Sequence, residues 1–518
     1  MDDQSETVAF LSRPESYGLN EPVQRCETHA AIVFLAGAHA YKLKRAVRYP
    51  YLDYSTVERR RAMCEAELAI NRRTAPDIYL RVLSILRRDG KLSFAGDDKP
   101  GDAVDWVVVM QRFADSDLLE RKLHAGEVSP ELLRELAGTI AQFHAAAERR
   151  PDFGGSVIIA RTISDALQIF HGYEGRPFER VMIEEFGRTA AAILLQCTNT
   201  LDQRKASGFV RRCHGDLHLN NIFIRNGQPV LFDAIEFNDE FSNIDTFYDL
   251  AFLLMDFDRA GARSAANAVV NRYLELTTDY GGVAALPLFL SCRAAVRAHV
   301  AASAADRLPT DDAKRLRRDA VSLLNRAIQY LSPSRPVLLA LGGISGTGKS
   351  QLARNLAPLI GNSPGAVVLR SDVLRKRIFG LADTVRLPSE GYSREITAKV
   401  YAEMRNIAGV LLRAGHSVIA DAVHGTDEER RDIETVARET MAEFAGLWLD
   451  ADLSVIEQHL AGRSGDASDA DIAVARQQSA KLQRPLNWNI LDVSQITPAE
   501  CVRTVTKLFN TQIWSVHG

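Results

Sequence analysis

Short apolar runs of strand length open the chain and give way to long stretches of helical period. Residues 31–44, AIVFLAGAHAYKLK, carry β-branched and aromatic residues on both sides of Ala36-Gly37, which predicts two strands joined by a turn. Lys42 and Lys44 then share one face of the second strand, because side chains alternate with period two. Residues 55–73 read as a helix, with Ser55 as N-cap and Glu58 completing a capping box. WVVVM at 106–110 is a further strand. From Pro130, Leu132, Leu136, Ile140 and Phe143 recur at near-helical spacing, and 158–205 and 249–330 also read as mainly helical. The pattern predicts a small mixed lobe followed by a large helical one.

The helical pattern is broken at 213–236, CHGDLHLNNIFIRNGQPVLFDAIE, where two apolar runs flank Arg225-Asn226-Gly227-Gln228; Asn-Gly marks a tight hairpin. Two prolines in the polar stretch 331–336 end the helical region. The expected domains are 1–332 and 333–518. The second begins with an apolar strand at 337–341, then GGISGTGKS, then the helix QLARNLAPLIG, stopped by Gly361. Apolar runs at 366–369, 417–420 and 444–449 alternate with helical segments, which predicts a parallel sheet flanked by helices. Thr497 and Glu500 form a capping box opening a last helix.

Composition narrows the classes. The 518 residues carry a net charge of −3, giving no bulk attraction to nucleic acid or membrane. Six scattered cysteines without a CxxC pair argue against a zinc knuckle or disulfide framework. The N-terminus lacks the basic flank and apolar core of a signal peptide, and no apolar run reaches the length of a membrane span. A cytoplasmic location without membrane contact is expected.

Within 213–236, Asp216 and Asn221 stand at the spacing of a phosphotransfer loop. Asp216 could accept the proton of an attacking hydroxyl, Asn221 offers an amide oxygen to magnesium, and Asp233 supplies a carboxylate to it. Lys42 or Lys44 could reach a nucleotide phosphate, with Glu65 or Glu67 as partner; gatekeeper lysines on an edge strand explain the pair equally well. His144, alone on its helix, is assigned no chemistry.

In the second domain, Gly343 to Ser350 match G-x-x-x-x-G-K-[ST] between an apolar strand and a helix. Gly343, Gly346 and Gly348 let backbone N–H groups face phosphates, Lys349 reaches the terminal ones, and Ser350 offers its hydroxyl to magnesium, with Gln351 following on the helix. Asp421, at the ligand edge of the sheet, could hold the ion's water or cap a turn. Asp372 and Arg375 present a base and a cation three residues apart. Arg463 and Arg476 bracket a Gly/Asp/Ser-rich stretch suited to a lid. The basic cluster Arg370, Arg375, Lys376 and Arg377 is expected to be a solvated helix face, and nucleic acid is not the expected partner.

With these motifs in place, HGDLHLNN and LFDAIEFN resemble the aminoglycoside phosphotransferase-like, or choline-kinase-like, branch of the protein-kinase fold. The resemblance implies Asp216 as base, Asn221 and Asp233 as magnesium ligands, His214 as a loop-shaping residue and Asp249 as a structural anchor. Lys44, with Lys42 second, matches the phosphate-binding lysine and Glu67 its helix partner; no glycine-rich nucleotide loop stands near residues 27–31. Residues 336–518 resemble the P-loop small kinases that include gluconate kinase, polynucleotide kinase and the zeta-toxin family. There Asp372 and Arg375 match the acceptor-activating pair, and Arg463 and Arg476 the lid arginines. The fold class expected is α/β and α+β in two domains, a bilobal kinase-like fold followed by a P-loop parallel-sheet domain. The expected activity is ATP- and magnesium-dependent phosphoryl transfer to small hydroxylated acceptors. The alternatives are one ATP-sensing regulatory domain, or a polynucleotide-kinase-like or toxin-like second domain. The acceptors and the oligomeric state stay open.

Overall fold

The apolar run at 106–110 lies within the strand Ala103–Gln111, and Val107, Val108 and Val109 are all buried. Successive side chains of a strand point to opposite faces, so this strand is covered on both. Val107 and Val109 pack with Ile32, Phe34, Leu43 and Ile85, whereas Val108 packs with Cys64, Ile78, Tyr79 and Phe223. The strand is therefore central. It belongs to an antiparallel sheet of β1 (Gln24–Glu27), β2 (Ala31–Ala36), β3 (His39–Lys44), β4 (Tyr79–Arg88), β5 (Lys91–Phe94) and β6 (Ala103–Gln111), in the order β1-β2-β3-β6-β4-β5.

The computed structural model describes residues 2–49, 51–95, 103–382, 385–461, 468–482 and 484–509. By internal contacts it forms two units, Met1–Ile158 with Asp202–Leu253, and Ile159–Leu201 with Leu254–Gly518. The first unit contains the antiparallel sheet and helix α1 (Val57–Asn71). Its N-cap is Thr56, which accepts from Arg59 N–H, while the Ser55 hydroxyl donates to Asp53 Oδ1 at 2.6 Å. The expected Ser55 cap is thus displaced by one residue, because a local turn onto Asp53 claims that hydroxyl. Helix α2 (Pro130–Ala146) and the hairpin β7 (Ile222–Arg225) and β8 (Gln228–Leu231) complete what matters for the site. Asn226 and Gly227, at φ 52° and 77°, close the hairpin as the Asn-Gly signal requires.

The second unit carries helices α3 (Arg263–Thr277), α4 (Leu286–Ala305) and α5 (Thr310–Tyr330). The helical stretch Tyr280–Ala305 is long and apolar enough, by length and composition alone, to cross a membrane, and 67% of its most apolar window is buried inside the protein. A search for uninterrupted apolar runs passes over it because Arg293, Arg297 and His299 interrupt it. A parallel sheet follows, of β9 (Val337–Gly342), β10 (Val367–Arg370), β11 (Val418–Asp421), β12 (Glu443–Asp450) and β13 (Asn489–Asp492), in the order β10-β11-β9-β12-β13. Strand β13 holds only Ile490 and Leu491 between Asn489 and Asp492, an apolar run too short to mark a strand. The chain is a mixed α/β protein with an antiparallel kinase-like sheet and a five-stranded parallel sheet.

Candidate active sites

Helix α1 turns a polar stripe inward. Residues 60, 64, 67 and 71 fall on one face at helical spacing, and all four are buried. Arg60 anchors one end by donating to Asp105 Oδ1 at 2.8 Å and to the Tyr54 carbonyl at 3.1 Å. Two turns later Glu67 receives both strand lysines, Lys42 at 2.8 Å and Lys44 at 2.6 Å. Glu65 instead pairs with Arg61 at the surface. The two lysines differ beyond Glu67. Lys42 continues to Asp233 Oδ1 at 2.6 Å, whereas Lys44, 1% exposed, turns to Glu236 and Tyr54. Burial works against both ammonium charges, but Asp233 and Glu67 hold Lys42, and Glu236 and Glu67 hold Lys44, well above the ordinary lysine range. Burial also raises Glu67, and the two lysines outweigh it, leaving its carboxyl at about 2.

At the far end of the stripe, Asn71 Oδ1 accepts from Ala234 N–H at 2.8 Å, and Tyr79 OH accepts from Asp233 N–H at 3.1 Å. These contacts hold Asp233 at φ 60°, a left-handed conformation that aspartate tolerates better than most residues. Across the hairpin, Asn221 Nδ2 donates to the Asp216 carbonyl at 2.9 Å and to Asp216 Oδ2 at 3.0 Å. Its Oδ1 is left as the acceptor atom, and its carbonyl receives Phe232 N–H at 3.0 Å, next to Asp233. His218 Nε2 lies 3.3 Å from Asp216 Oδ2.

The loop before Asp216 hangs on Asp249, fully buried, which accepts from His214 N–H at 3.0 Å and Gly215 N–H at 2.8 Å. His144 Nε2 lies 3.1 Å from the same carboxylate, so this helix histidine supports the loop rather than standing alone. His214 donates from Nε2 to the Phe232 carbonyl at 2.8 Å and receives Asp216 N–H on Nδ1 at 3.3 Å. Burial keeps that imidazole's pKa low, consistent with this neutral tautomer. Gly215 sits at φ 85°, and a Cβ there would lie 2.7 Å from the Phe241 carbonyl, so the loop admits only glycine.

In the second unit the P loop leaves β9 at Gly343, where a Cβ would meet the Leu449 carbonyl at 2.4 Å. Register then aligns the ligand edge: Asp421 pairs with Leu341 on one side and with Arg370 on the other. Ser350 Oγ donates to Asp421 Oδ2 at 2.5 Å, and Arg370 Nε lies 3.5 Å from the same oxygen. Lys349 Nζ reaches back to the Gly343 and Ile344 carbonyls, both at 2.8 Å. Gln351 opens the helix α6 (Lys349–Leu356) with Lys349 and Ser350, and lines a cavity of about 140 Å³ with Gly348, His459 and Ser494. Gly346 contributes its carbonyl to His459 Nδ1 at 3.1 Å.

Asp372 and Arg375 both stand in helix α7 (Ser371–Ile378), and among the described residues no ion pair joins them. Arg375 donates to the Gly391 carbonyl at 2.8 Å and Thr397 Oγ1 at 3.1 Å, leaving its Nε buried and without a partner. Desolvation raises the Asp372 carboxyl above its ordinary value against the pull of Arg370. The neighbouring cations are not a solvated face: Arg370, Arg375 and Lys376 are buried, Lys376 pairs with Asp469 at 3.0 Å, and Arg377 pairs with Glu403 at 2.8 Å. Arg476 is exposed and paired with Glu457 at 2.7 Å. On the same helix, α8 (Ile472–Lys481), Gln478 accepts from Ser345 N–H of the P loop at 2.8 Å. Arg463 lies outside the described residues.

Arg60, Asn71, Glu236, Asp469 and Gln478 escaped the sequence reading. Only the first two left a signal, in the helical period of α1.

Residues 59–286 match the phosphotransferase enzyme family, and residues 338–485 match a family described as AAA domain. An uncharacterized protein of Mycobacterium tuberculosis strain H37Rv is 30% identical over 477 residues, 89% of this chain and 90% of its own, and one of Mycobacterium bovis matches equally. Among solved structures, the M. tuberculosis APS kinase CysC in complex with AMPPNP and APS aligns with 34% of this chain and 99% of its own, at 23% identity and TM-score 0.27. A choline/ethanolamine kinase family protein from Mesorhizobium loti aligns with 62% and 97%, at 13% identity and TM-score 0.37. The chain belongs to the family of these mycobacterial proteins, and its own two kinase-like domains, a phosphotransferase-family domain followed by a P-loop kinase domain, support phosphotransferase activity in general.

Proposed function

We propose that the chain is a cytoplasmic tandem kinase, with domains 1–332 and 333–518 each moving the γ-phosphoryl group of ATP to a hydroxyl of a small molecule. The observation that carries this is the pairing, in each site, of an oxygen ligand with a cation: Asp233 with Lys42 in the first, and Asp421, bonded to Ser350, with Arg370 in the second. Both donor sets are hard oxygens and fit magnesium: Asn221 Oδ1 and Asp233 would hold it in the first site, and Ser350 and Asp421 in the second. When bound, the ion neutralises charge on the transferred group.

In the first site, Lys42 exchanges Asp233 for a nucleotide phosphate while Glu67 keeps its ammonium in place. Lys44 stays with Glu236 and Tyr54 and steadies Glu67. Asp216, oriented by Asn221 and His218, takes the proton of the acceptor hydroxyl. In the second site, the P-loop amides and Lys349 take the phosphates and Asp372 takes the acceptor proton. Arg375 aids there through its Nε, and Arg463 and Arg476 serve the lid. Positioning and electrostatics carry the rate.

The test offers labelled ATP with sugars, amino alcohols and nucleosides to wild-type, Asp216→Asn and Lys349→Ala chains. Each single variant retains the other site's transfers, and the double variant loses both. A wild-type chain that labels nothing beyond the double variant ends the proposal. A second reading, in which one site regulates the other, has one observation in its favour: helices α3 to α5 and the P-loop sheet share one unit.

A further inference from the structure

We infer that Asn271, on a helix that precedes the P-loop domain in sequence, is a positioning residue of the second site, holding the strand that delivers Arg370 and Asp372. Strand β10 is the outer strand of the parallel sheet, so one row of its backbone groups has no neighbouring strand. Helix α3 fills that place. Asn271 Oδ1 accepts from Val368 N–H at 2.7 Å, and its Nδ2 donates to the Ala366 carbonyl at 3.2 Å. Asn267, one turn earlier and 3% exposed, donates to the same carbonyl at 3.1 Å. One carboxamide thus supplies both the acceptor and the donor that a paired strand would offer. Ala366 and Val368 are themselves buried, so water does not replace these bonds when the amide is removed.

The helical layer is tied to the same region twice more. Arg263 donates to the Gly361 carbonyl at 2.6 Å, and the Arg377 guanidinium lies over the Tyr280 ring at 6.0 Å. Functionally the strand matters for where it ends. Two residues beyond Val368, Arg370 faces Asp421 at 3.5 Å, and Asp372 follows in the first turn of α7. The P loop stands on β9, separated from β10 by β11. A displacement of β10 therefore moves the acceptor side more than the phosphate side. Asn271 acts through the strand, and its role rests on the second-site chemistry proposed above.

The experiment uses the full chain carrying Asp216→Asn, so that only the second site turns over, with MgATP and whichever acceptor the panel identifies, or MgATP alone. Asn271→Ala lowers kcat about tenfold, the worth of roughly one buried hydrogen bond, with a smaller change in KM for MgATP. Asn271→Asp keeps the acceptor for Val368 N–H but sets a carboxylate oxygen against the Ala366 carbonyl, so it does not restore wild-type kcat. Hydrogen exchange, read with and without MgADP, speeds up at 366–372 and stays unchanged at 337–342. Unchanged kcat and unchanged exchange at 366–372 overturn the inference, as does faster exchange spread evenly over the second unit. If the Asp216→Asn chain turns over nothing, the second-site kinase reading fails, and the exchange pattern alone decides whether Asn271 holds the strand.

Discussion

Exchanging each strand lysine for methionine separates the two roles that the buried charge network assigns them. Lys44 is 1% exposed and its ammonium lies between Glu67, fully buried, and Glu236, 6% exposed. Lys44→Met leaves Glu67 with Lys42 alone and Glu236 with only the Tyr54 hydroxyl, and breaking a buried pair in this way costs about 3–5 kcal/mol. Lys42 instead bridges Glu67 to Asp233, whose side chain is 41% exposed. In Lys42→Met, Glu67 keeps Lys44 and Asp233 turns to water, so the cost falls to about 1 kcal/mol. For a domain of this size, 3–5 kcal/mol lowers the unfolding midpoint by roughly 6–20 °C. Activity runs the other way. Lys42→Met loses the phosphate contact and about 10²-fold or more in first-site turnover, while folded Lys44→Met retains a larger share. Thermal unfolding, followed alongside phosphoryl transfer in a Lys349→Ala background, reads both quantities. A Lys44→Met midpoint equal to wild type, or a Lys42→Met midpoint lowered more than that of Lys44→Met, would refute this division of labour.

Glu67, at about 2 in the folded chain against an ordinary 4.5, contributes stability that is present above pH 4.5 and is lost as pH falls toward 2. The contribution is on the order of 3 kcal/mol, and urea titrations of wild type and Glu67→Gln between these pH values measure it as a difference that closes in acid. The Asp372 carboxyl is raised by desolvation, so its ionisation works against folding at neutral pH. Asp372→Asn therefore raises the unfolding midpoint while abolishing second-site transfer, and the acidic limb of that site's pH–rate profile lies above the ordinary carboxylate range. Gly215→Ala forces its Cβ against the Phe241 carbonyl at positive φ; it costs about 1–3 kcal/mol and silences the first site, with second-site transfer intact as the internal control.

What the sequence made legible was local. The Asn-Gly hairpin brings Asn221 and Asp233 to its two ends, and the glycine pattern between a strand and a helix marks the P loop; both signals lie within a few dozen residues. The contacts that sort Lys42 from Lys44 span 191 and 192 residues, to Asp233 and Glu236, and no periodicity registers a pairing of that range. Arg375 shows a different limit. Helical spacing sets it near Asp372, but its guanidinium is held by the Gly391 carbonyl and the Thr397 hydroxyl, 16 and 22 residues on, a range that helical spacing does not register. Ser55 was the expected cap, and the aspartate two residues before it drew its hydroxyl away and left the place to Thr56.

The contact between Gln478 and Ser345 N–H also bears on how fast the second site fills. A phosphate oxygen seeking that amide competes with a carboxamide already bonded to it at 2.8 Å. On the nucleotide chemistry proposed above, a phosphate takes that amide only as the carboxamide gives it up. Forfeiting the carboxamide bond costs about 1 kcal/mol, enough to weaken apparent nucleotide affinity roughly fivefold. The same bond offers the amide a partner of its own once product has left, so the loop is satisfied in both states.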